Sequence, residues 1–454
     1  MTFAKILQSQ RVYFESGITR DLEFRKAQLR HLKSLLKENE ALLLSAIHND
    51  FHKSGFDTYV TELGLLYRDI DECTTHLNQW AKTRKVKTDM ANQPGKSYIL
   101  AEPLGNCLVI GTWNYPFQLS LAPVIAAMAA GNTVVLKPSE LAKNCSSALA
   151  RLVNENFPPE YLFVAEGGVP ETNAILEERF DKIFFTGSTT VGRIVYQAAA
   201  RHLTPVTLEL GGKNPVIVSG NCNLKDAAKR VVWAKFLNAG QTCVAPDHVF
   251  VEESVYQEFL TQCTYWIQTF DYNLANNNYV QIINDHHFQR IQELTLPEKV
   301  YCGGIFDVEQ RTISPTILTD VAESSPIMQE EIFGPVLPVF SYSNLDTVIR
   351  QIRNRPKPLA AYLFTKNMEE KNRLLRQLSF GGGAINETIM HLTSTQLPFG
   401  GVGLSGFGSY HGEAGFATFS HYKSILERLL PWEPSLRYPP NTEKKLKWVK
   451  RFLK

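Results

Sequence analysis

Cysteine is scarce in this chain, and what there is does not pair. Seven are scattered at positions 73, 107, 145, 222, 243, 263 and 302, an odd number with no C-x-x-C spacing among them. That pattern argues against a zinc centre, a dithiol redox motif or a disulfide scaffold; reduced thiols in a cytoplasmic protein, with no metal, are the expectation. An excess of one charge is also missing. The net charge is +2, and no basic stripe interleaves with aromatics, so nucleic acid is not an expected partner. Long apolar runs are absent too. The most apolar window, Leu119 to Leu136, is interrupted by Pro123, Gly131 and Asn132, and cannot form an unbroken membrane span of about 20 residues. The opening Met1-Thr2-Phe3-Ala4-Lys5-Ile6-Leu7-Gln8 lacks the apolar core of a signal peptide. A soluble protein, at most attached to a membrane surface, is the expectation. There is no internal repeat and no low-complexity segment.

What is present is the composition of an ordinary globular protein, 44% hydrophobic and 20% charged, over 454 residues. That length exceeds one core and implies two or three domains. Leu22, Leu29, Leu32, Leu36, Leu43 and Ile47 recur at helical spacing and predict an amphipathic packing helix between Asp21 and Asn49. A second helical pattern covers Thr58 to Lys82. The polar stretch Val86 to Ala101 predicts a hairpin turning at Gln93-Pro94-Gly95-Lys96. From Asn106 to Glu209, short apolar runs (Cys107–Gly111, Thr133–Lys137, Phe163–Ala165, Lys182–Thr186, Val206–Glu209) alternate with helical stretches, notably Leu119–Ala130 and Ser146–Asn156. A second alternating series runs from Pro215 to Phe364. The fold class is therefore α/β: two parallel-sheet domains plus a small β element.

One literal motif misleads. Gly401-Val402-Gly403-Leu404-Ser405-Gly406 spells G-x-G-x-x-G, but no strand precedes it, and Gly408, Gly412 and Gly415 discourage an immediate helix. A loop whose backbone passes close to another surface is the better reading. The turn Gly187-Ser188-Thr189-Thr190-Val191-Gly192 has the context that motif lacks. It follows the strand Lys182–Thr186 and precedes a helical run, the geometry that aims backbone N–H groups at an anion. Plain strand-to-helix turns carry the same residues, so by itself this stays open.

Other candidates are equally ambiguous alone. Lys137-Pro138-Ser139-Glu140 closes a strand, where Lys137 and Glu140 reach a cofactor ribose or simply face water. Asn114, in Thr112-Trp113-Asn114-Tyr115-Pro116-Phe117, either donates its amide to a developing oxyanion or anchors a buried turn. Glu331 and Phe333, in Glu330-Glu331-Ile332-Phe333-Gly334-Pro335, read locally as a loop. Cys243, in Asn238-Ala239-Gly240-Gln241-Thr242-Cys243, is on its own most simply a buried thiol. Glu209, in Leu208-Glu209-Leu210-Gly211-Gly212-Lys213, is on its own a capping or ion-paired carboxylate. A Cys/His hydrolase would need a histidine base, and His202, His248, His391, His411 and His421 lie in no recognisable protease context.

The ordered set changes these readings. Asn114, Lys137, the Gly187–Gly192 turn, Glu209, Cys243 and Glu331-Ile332-Phe333 resemble the aldehyde dehydrogenase superfamily in order and spacing, over nearly the whole chain as far as Leu426. The likeness is strongest to its class 3 members, the fatty aldehyde dehydrogenases among them. It rests on the compact N-terminus and on Gly400–Gly406, Tyr410-His411-Gly412 and Phe419-Ser420-His421. The resemblance implies a Rossmann-like NAD(P)-binding domain over residues 1–82 and 104–210 and a catalytic domain over 211–395. It also implies a bridging, oligomerisation element over 83–103 and 396–430, ahead of a basic tail, 431–454.

By the same resemblance, Cys243 attacks the aldehyde carbon to give a thiohemiacetal, and loss of hydride leaves a thioester. Asn114 and the Cys243 N–H hold the oxyanion, and Glu209 activates the hydrolytic water. Lys137, Glu140, Gly187, Ser188, Gly192, Glu331 and Phe333 hold NAD or NADP. A small-molecule aldehyde, medium- or long-chain aliphatic or aromatic, is the implied substrate, and a homodimer the implied assembly. Two rivals are a coenzyme A-acylating relative, which Glu209 argues against, and a non-catalytic structural member. The tail Glu443–Lys454 sets Leu446, Val449, Phe452 and Leu453 on one helical face among basic residues. It reads either as a solvated or substrate-gating helix or as a peripheral membrane contact, being too short to span and carrying no lipidation motif.

Overall fold

The computed structural model describes residues 2–429 and 435–452. Five helices open the chain: α1 (Phe3–Glu15), α2 (Leu22–Glu38), α3 (Glu40–Phe51), α4 (Gly55–Thr58) and α5 (Gly64–Trp80), with a π-helical turn, Tyr59–Leu63, between the last two. The single helix predicted over Asp21–Asn49 is in fact two. Asn39 interrupts it with non-helical backbone, φ −107° and ψ 18°; its side-chain amide shares the Leu35 carbonyl with its own N–H, at 2.9 and 3.0 Å. Strands β1 (Arg84–Val86) and β2 (Gly95–Pro103) follow and pair antiparallel, Val86 opposite Ser97. The predicted turn residues Gly95 and Lys96 already belong to β2, so the connection lies earlier than the sequence suggested.

The first alternating series comprises β3 (Asn106–Ile110), α6 (Gln118–Ala130), β4 (Thr133–Lys137), α7 (Lys143–Asn154), β5 (Leu162–Val164), α8 (Val169–Leu176), β6 (Lys182–Thr186), α9 (Thr189–Ala200) and β7 (Val206–Glu209). The second comprises β8 (Pro215–Val218), α10 (Leu224–Phe236), β9 (His248–Glu252), α11 (Tyr256–Phe270), α12 (Asp285–Thr295), β10 (Lys299–Cys302), the hairpin β11 (Phe306–Asp307) and β12 (Thr312–Ile313), β13 (Thr316–Thr319), α13 (Pro326–Gln329), β14 (Val336–Tyr342), α14 (Leu345–Arg353), β15 (Ala360–Phe364), α15 (Met368–Gln377) and β16 (Gly382–Ile385). The chain continues through β17 (Gly406–Phe407), α16 (Gly412–Thr418), β18 (Ser420–Arg428) and α17 (Glu443–Phe452).

Two compact units result, one of residues 1–80 and 103–420, the other of 81–102 and 421–454. The large unit holds two sheets. One has the order β17-β7-β6-β3-β4-β5, parallel except for β17; the other has β10-β13-β14-β9-β8-β15-β16, parallel except for β10. Strands β3, β4 and β6 are buried along their full length, which is why they are written as continuous apolar runs rather than alternating ones. Helix α6 is buried on every side, so its sequence is apolar all round. The small unit is the sheet β1-β2-β18 with α17. Residues 396–420, assigned from sequence to the bridging element, belong to the large unit instead: β17 pairs with β7, and α16 packs on α5 and α6.

The Gly401–Gly406 run is a loop. It holds one 3₁₀ turn, Gly403–Ser405, and leads into β17; an α-helix starts only at Gly412. Gly406, at φ +127°, lies so close to the Leu208 carbonyl that a Cβ would overlap its oxygen. Gly401 and Gly406 thus serve close backbone approach, as expected, whereas Gly403 serves a left-handed turn at φ +67° with no backbone close by. Among the described residues no helix is long and apolar enough to cross a membrane.

Candidate active site

Cys243 sits on the loop from α10 to β9, and that loop is built to hold one shape. Asn238, Ala239 and Gly240 all take left-handed backbone, at φ 52°, 51° and 71°, a costly run for residues with a Cβ. Hydrogen bonds fix it from several sides. The buried Asn214 amide donates to the carbonyls of Cys243 (2.7 Å) and Ala245 (3.0 Å), and the Tyr362 hydroxyl donates to Val244 O at 2.6 Å. Gln241 donates to Asn238 O and Gln281 O and accepts from the Ile283 N–H. Asn214 and Gln241 gave no recognisable signal in the sequence.

The loop after β3 reaches the same place. Asn114 is 2% exposed; its amide donates to Gln241 O at 3.0 Å, while Asn238 donates to Asn114 O at 2.9 Å. Next to it, the Tyr115 hydroxyl lies 2.6 Å from Thr242 Oγ1. The segments bearing Asn114 and Cys243 are thus stitched together directly.

Two cavities meet at Cys243. The first, about 220 Å³, is walled by Val60, Leu65, Trp233, Leu237, Ile389 and Met390 among others, and is overwhelmingly apolar. The second, about 390 Å³, contains Asn114, Thr186–Thr190, Glu209, Glu331 and Phe333. Cys243, Leu119, Phe399 and Tyr410 line both. The apolar walls come mostly from the π-helical turn, α10 and the segment after β16, none of which carried a sequence motif.

Glu209 ends β7, between Thr186 on β6 and Gly406 on β17. It is 3% exposed, and among the described residues neither carboxylate oxygen has a hydrogen-bond partner. Burial alone pushes its acidity constant well above the ordinary carboxylate range. Burial also pushes the Cys243 thiol up to about 12, with further upward pressure from Glu331 and then Glu209. Cys243 therefore rests as a thiol, which needs a base to take its proton before it can act as a thiolate.

Glu331 overhangs Gly211, occupying the space a Cβ there would need. Burial, then Asp247, raise it to about 8, against the opposing pull of the Gly212 N–H, Lys213 and Arg290. Its segment is anchored on both sides. Lys213 pairs with Asp247 at 2.6 Å and donates to Ile327 O and Glu330 O; the Asp247 carboxylate accepts from the Ile332 N–H. Arg290 donates to Glu331 O at 3.2 Å and Ile332 O at 2.7 Å. Burial would raise Asp247, but Lys213, His248 and Lys235 more than offset this and hold it well below the usual range.

A planar, phosphate-bearing cofactor fits the second cavity. Ser188 caps α9, its hydroxyl accepting from Val191 N–H, and the first turn of α9 faces the cavity. Thr186 Oγ1, buried and lining the same cavity, has no partner among the described residues. Trp113 supplies a flat wall, with Phe333 edge-on at 5.4 Å and His287 at 5.3 Å. Thr186, Trp113, His287 and Arg290 were not singled out from sequence.

The other expected cofactor residues lie differently. Gly187 and Ser188 line the cavity; Gly192 does not, and instead packs against Leu210, whose Cδ2 would be 2.7 Å from a Cβ there. Lys137, 1% exposed at the end of β4, donates to Pro138 O at 2.7 Å and lies 3.7 Å from Glu140. Neither Lys137 nor Glu140 lines the cavity that holds Cys243.

Comparison with known proteins agrees with this geometry. The model of the aldehyde dehydrogenase family matches residues 5–425. The chain is 45% identical to the 4,4'-diaponeurosporen-aldehyde dehydrogenase of Staphylococcus aureus, over 98% of this chain and 97% of that one. It is 43% identical to the dimeric NADP-preferring aldehyde dehydrogenase of Canis lupus familiaris, over 97% and 98%. A substrate-bound structure of Staphylococcus aureus AldH superposes with a TM-score of 0.97 at 43% identity, covering all of both chains. The chain belongs to the aldehyde dehydrogenase family and is an NAD(P)-dependent enzyme that oxidises aldehydes to acids.

Proposed function

We propose that the enzyme oxidises medium- to long-chain aliphatic or aromatic aldehydes, with Cys243 as nucleophile, Asn114 as oxyanion donor and Glu209 as hydrolytic base. The observation that carries this reading is the position of Cys243 where an apolar cavity meets a polar one that suits the cofactor. An apolar tail fits the first cavity, and an aldehyde carbon at its end lies at the sulfur. The Staphylococcus aureus relative is likewise named for an aldehyde substrate, 4,4'-diaponeurosporen-aldehyde.

Cys243 Sγ adds to the carbonyl carbon as its proton passes to a carboxylate of the site. The Asn114 amide carries two N–H groups; one is held by Gln241 O, and the other, with the Cys243 backbone N–H, stabilises the new oxyanion. When bound, the nicotinamide cofactor supplies the hydride acceptor. Glu209, once ionised, takes a proton from water; the oxygen adds to the thioester carbon, the C–S bond breaks, and the acid leaves with the thiol restored. An unpartnered carboxylate beside Cys243 favours water over coenzyme A as the acyl acceptor. Glu331 and Phe333, Ser188 and the backbone after Gly187, and Lys137 with Glu140 serve the cofactor, the last pair at its adenosine ribose. Gly192 supports that site by packing.

The protein acts as a cytoplasmic homodimer joined through the hairpin near Val86–Ala101 and the segment after His411, in keeping with the dimeric canine relative. Light scattering that returned a stable monomer at micromolar concentration would overturn this.

NADH formation from a medium-chain aldehyde, assayed with and without coenzyme A, tests the substrate class and the acceptor. Cys243→Ala should abolish turnover and leave cofactor affinity largely intact. Glu209→Gln should accumulate acyl-enzyme, visible by mass spectrometry. Normal turnover without acyl-enzyme would remove Glu209 from the mechanism.

A further inference from the structure

A buried ion pair stands behind the oxyanion loop, outside the residues that touch the reacting atoms. Lys53 and Glu62 have side chains 1% and 0% exposed and meet at 3.0 Å. Burying two charges is unfavourable unless the remaining polar groups are also met, and here both Glu62 oxygens are paired. The second Glu62 oxygen accepts the N–H of Phe117 at 2.8 Å and of Gln118 at 3.3 Å. Those amides open α6, whose N-cap residue, Phe117, makes no side-chain cap of its own. Glu62 therefore caps a helix from a distant part of the chain, with its charge at the favourable end of the dipole.

What α6 and its cap hold in place is the loop carrying Asn114. The Lys53 ammonium lies 4.4 Å from the centroid of the Tyr115 ring, a cation–π contact in a dry setting. Tyr115 in turn reaches Thr242, the neighbour of Cys243. Glu62 is presented inward by the π-helical turn Tyr59–Leu63, while Val60 and Thr61 of the same turn line the apolar cavity. Single π turns recur at functional sites because they re-aim side chains that an α-helix would point elsewhere.

We propose that Glu62, supported by Lys53, is a positioning residue: it sets the oxyanion loop against the Cys243 loop through the α6 cap and the Tyr115–Thr242 bond. This rests on Asn114 being the oxyanion donor. Glu62→Gln keeps size but places an amide N–H against either the ammonium or the Phe117 N–H, so the loop shifts. A misplacement of about 1 Å costs about 100-fold in rate. The expected result is a fall of that size in the acylation burst and kcat, with cofactor KM little changed.

A double-mutant cycle separates positioning from general damage. In an Asn114→Ala background, Glu62→Gln should lower kcat by less than about threefold, because the donor it positions is gone. A full additive loss in that background would overturn the proposal, as would wild-type kcat in folded Glu62→Gln when Asn114→Ala alone is impaired. Wild-type kcat in Asn114→Ala alone would instead sink the oxyanion assignment and this inference with it. If Glu62→Gln does not fold, Tyr115→Phe decides. It retains the ring over Lys53 and removes only the hydroxyl bond, so about tenfold lower kcat is expected. Unchanged kcat there would overturn the proposal.

Discussion

Gly240 presses against the Gly334 carbonyl so closely that a Cβ on it would overlap the oxygen. This approach ties the Cys243 loop to the segment bearing Glu331 and Phe333. Cys243 and Glu331 are therefore positioned as one body.

Gly240→Ala meets two obstacles, the overlap and a backbone φ of +71°. Such strain costs about 1–3 kcal/mol where the fold tolerates it. The variant should melt earlier and, because the loop must shift to make room, lose about 100-fold or more in kcat. A variant with unchanged melting and kcat would show that the loop has slack the packing denies.

That Cys243, Glu209 and Asn114 belong together was legible in the sequence, and the structure sets all three around one cavity. Cys243, Glu209 and Asn114 each had an innocuous local reading; only their order gave them meaning. The βαβ strands were legible as well, since buried parallel strands are written as continuous apolar runs. What stayed hidden depends on contacts between distant segments. Glu62 looks like any surface carboxylate on a helix, and its burial depends on Lys53 and on amides 55 and 56 residues away. Asn39 was hidden for a local reason. The apolar periodicity continues across it, while the break is a single residue of non-helical backbone, φ −107° and ψ 18°. Gly192 shows the opposite error, a motif position whose side of the helix packs on Leu210.

The carboxyl group of Glu331 makes stability depend on pH. Its constant in the folded protein, about 8, lies above that of an unfolded glutamate, chiefly through burial. The unfolded chain releases this proton near pH 4.3, whereas the folded one keeps it to about 8. Its contribution is thus fully present below the unfolded value and is lost as pH rises through the folded one. Glu331→Gln has no proton to lose. Melting temperatures of variant and parent should be similar near pH 4 and diverge in the variant's favour by pH 9. A difference that stays constant with pH would mean that Glu331 is not held in its neutral form.

Cofactor choice should be broad and should turn on Glu140. Lys137 tolerates a 2′-phosphate and an acid on the ribose repels it, yet the Glu140 side chain is 42% exposed, 3.7 Å from the ammonium on a Pro-Ser-Glu turn. It can swing away. Steady-state kinetics should show use of both NAD and NADP, with a preference below about a thousandfold, roughly 4 kcal/mol. Glu140→Gln should shift kcat/KM toward NADP by about tenfold, the equivalent of removing one modest charge repulsion. No shift would place the ribose elsewhere.

The C-terminal helix offers the sharpest test of where the enzyme works. Glu443–Phe452 forms α17, with Leu446 and Val449 spaced along one face; the side chain of Phe452 and all of Leu453 lie outside the described residues. Leu446 is 51% exposed, and Lys444, Lys447, Lys450 and Arg451 surround the apolar positions. A helix of this kind lies in the headgroup region of an anionic membrane, each basic residue near the surface contributing about 1 kcal/mol. Attachment there would bring the apolar cavity to aldehydes that partition into lipid. Full-length protein should co-sediment with phosphatidylserine vesicles at low salt and release as salt rises, since the attraction is screened. A chain ending at Pro440 should stay in the supernatant. Equal partitioning of the two would leave α17 with a role confined to the protein itself, and the substrate would have to reach Cys243 through water.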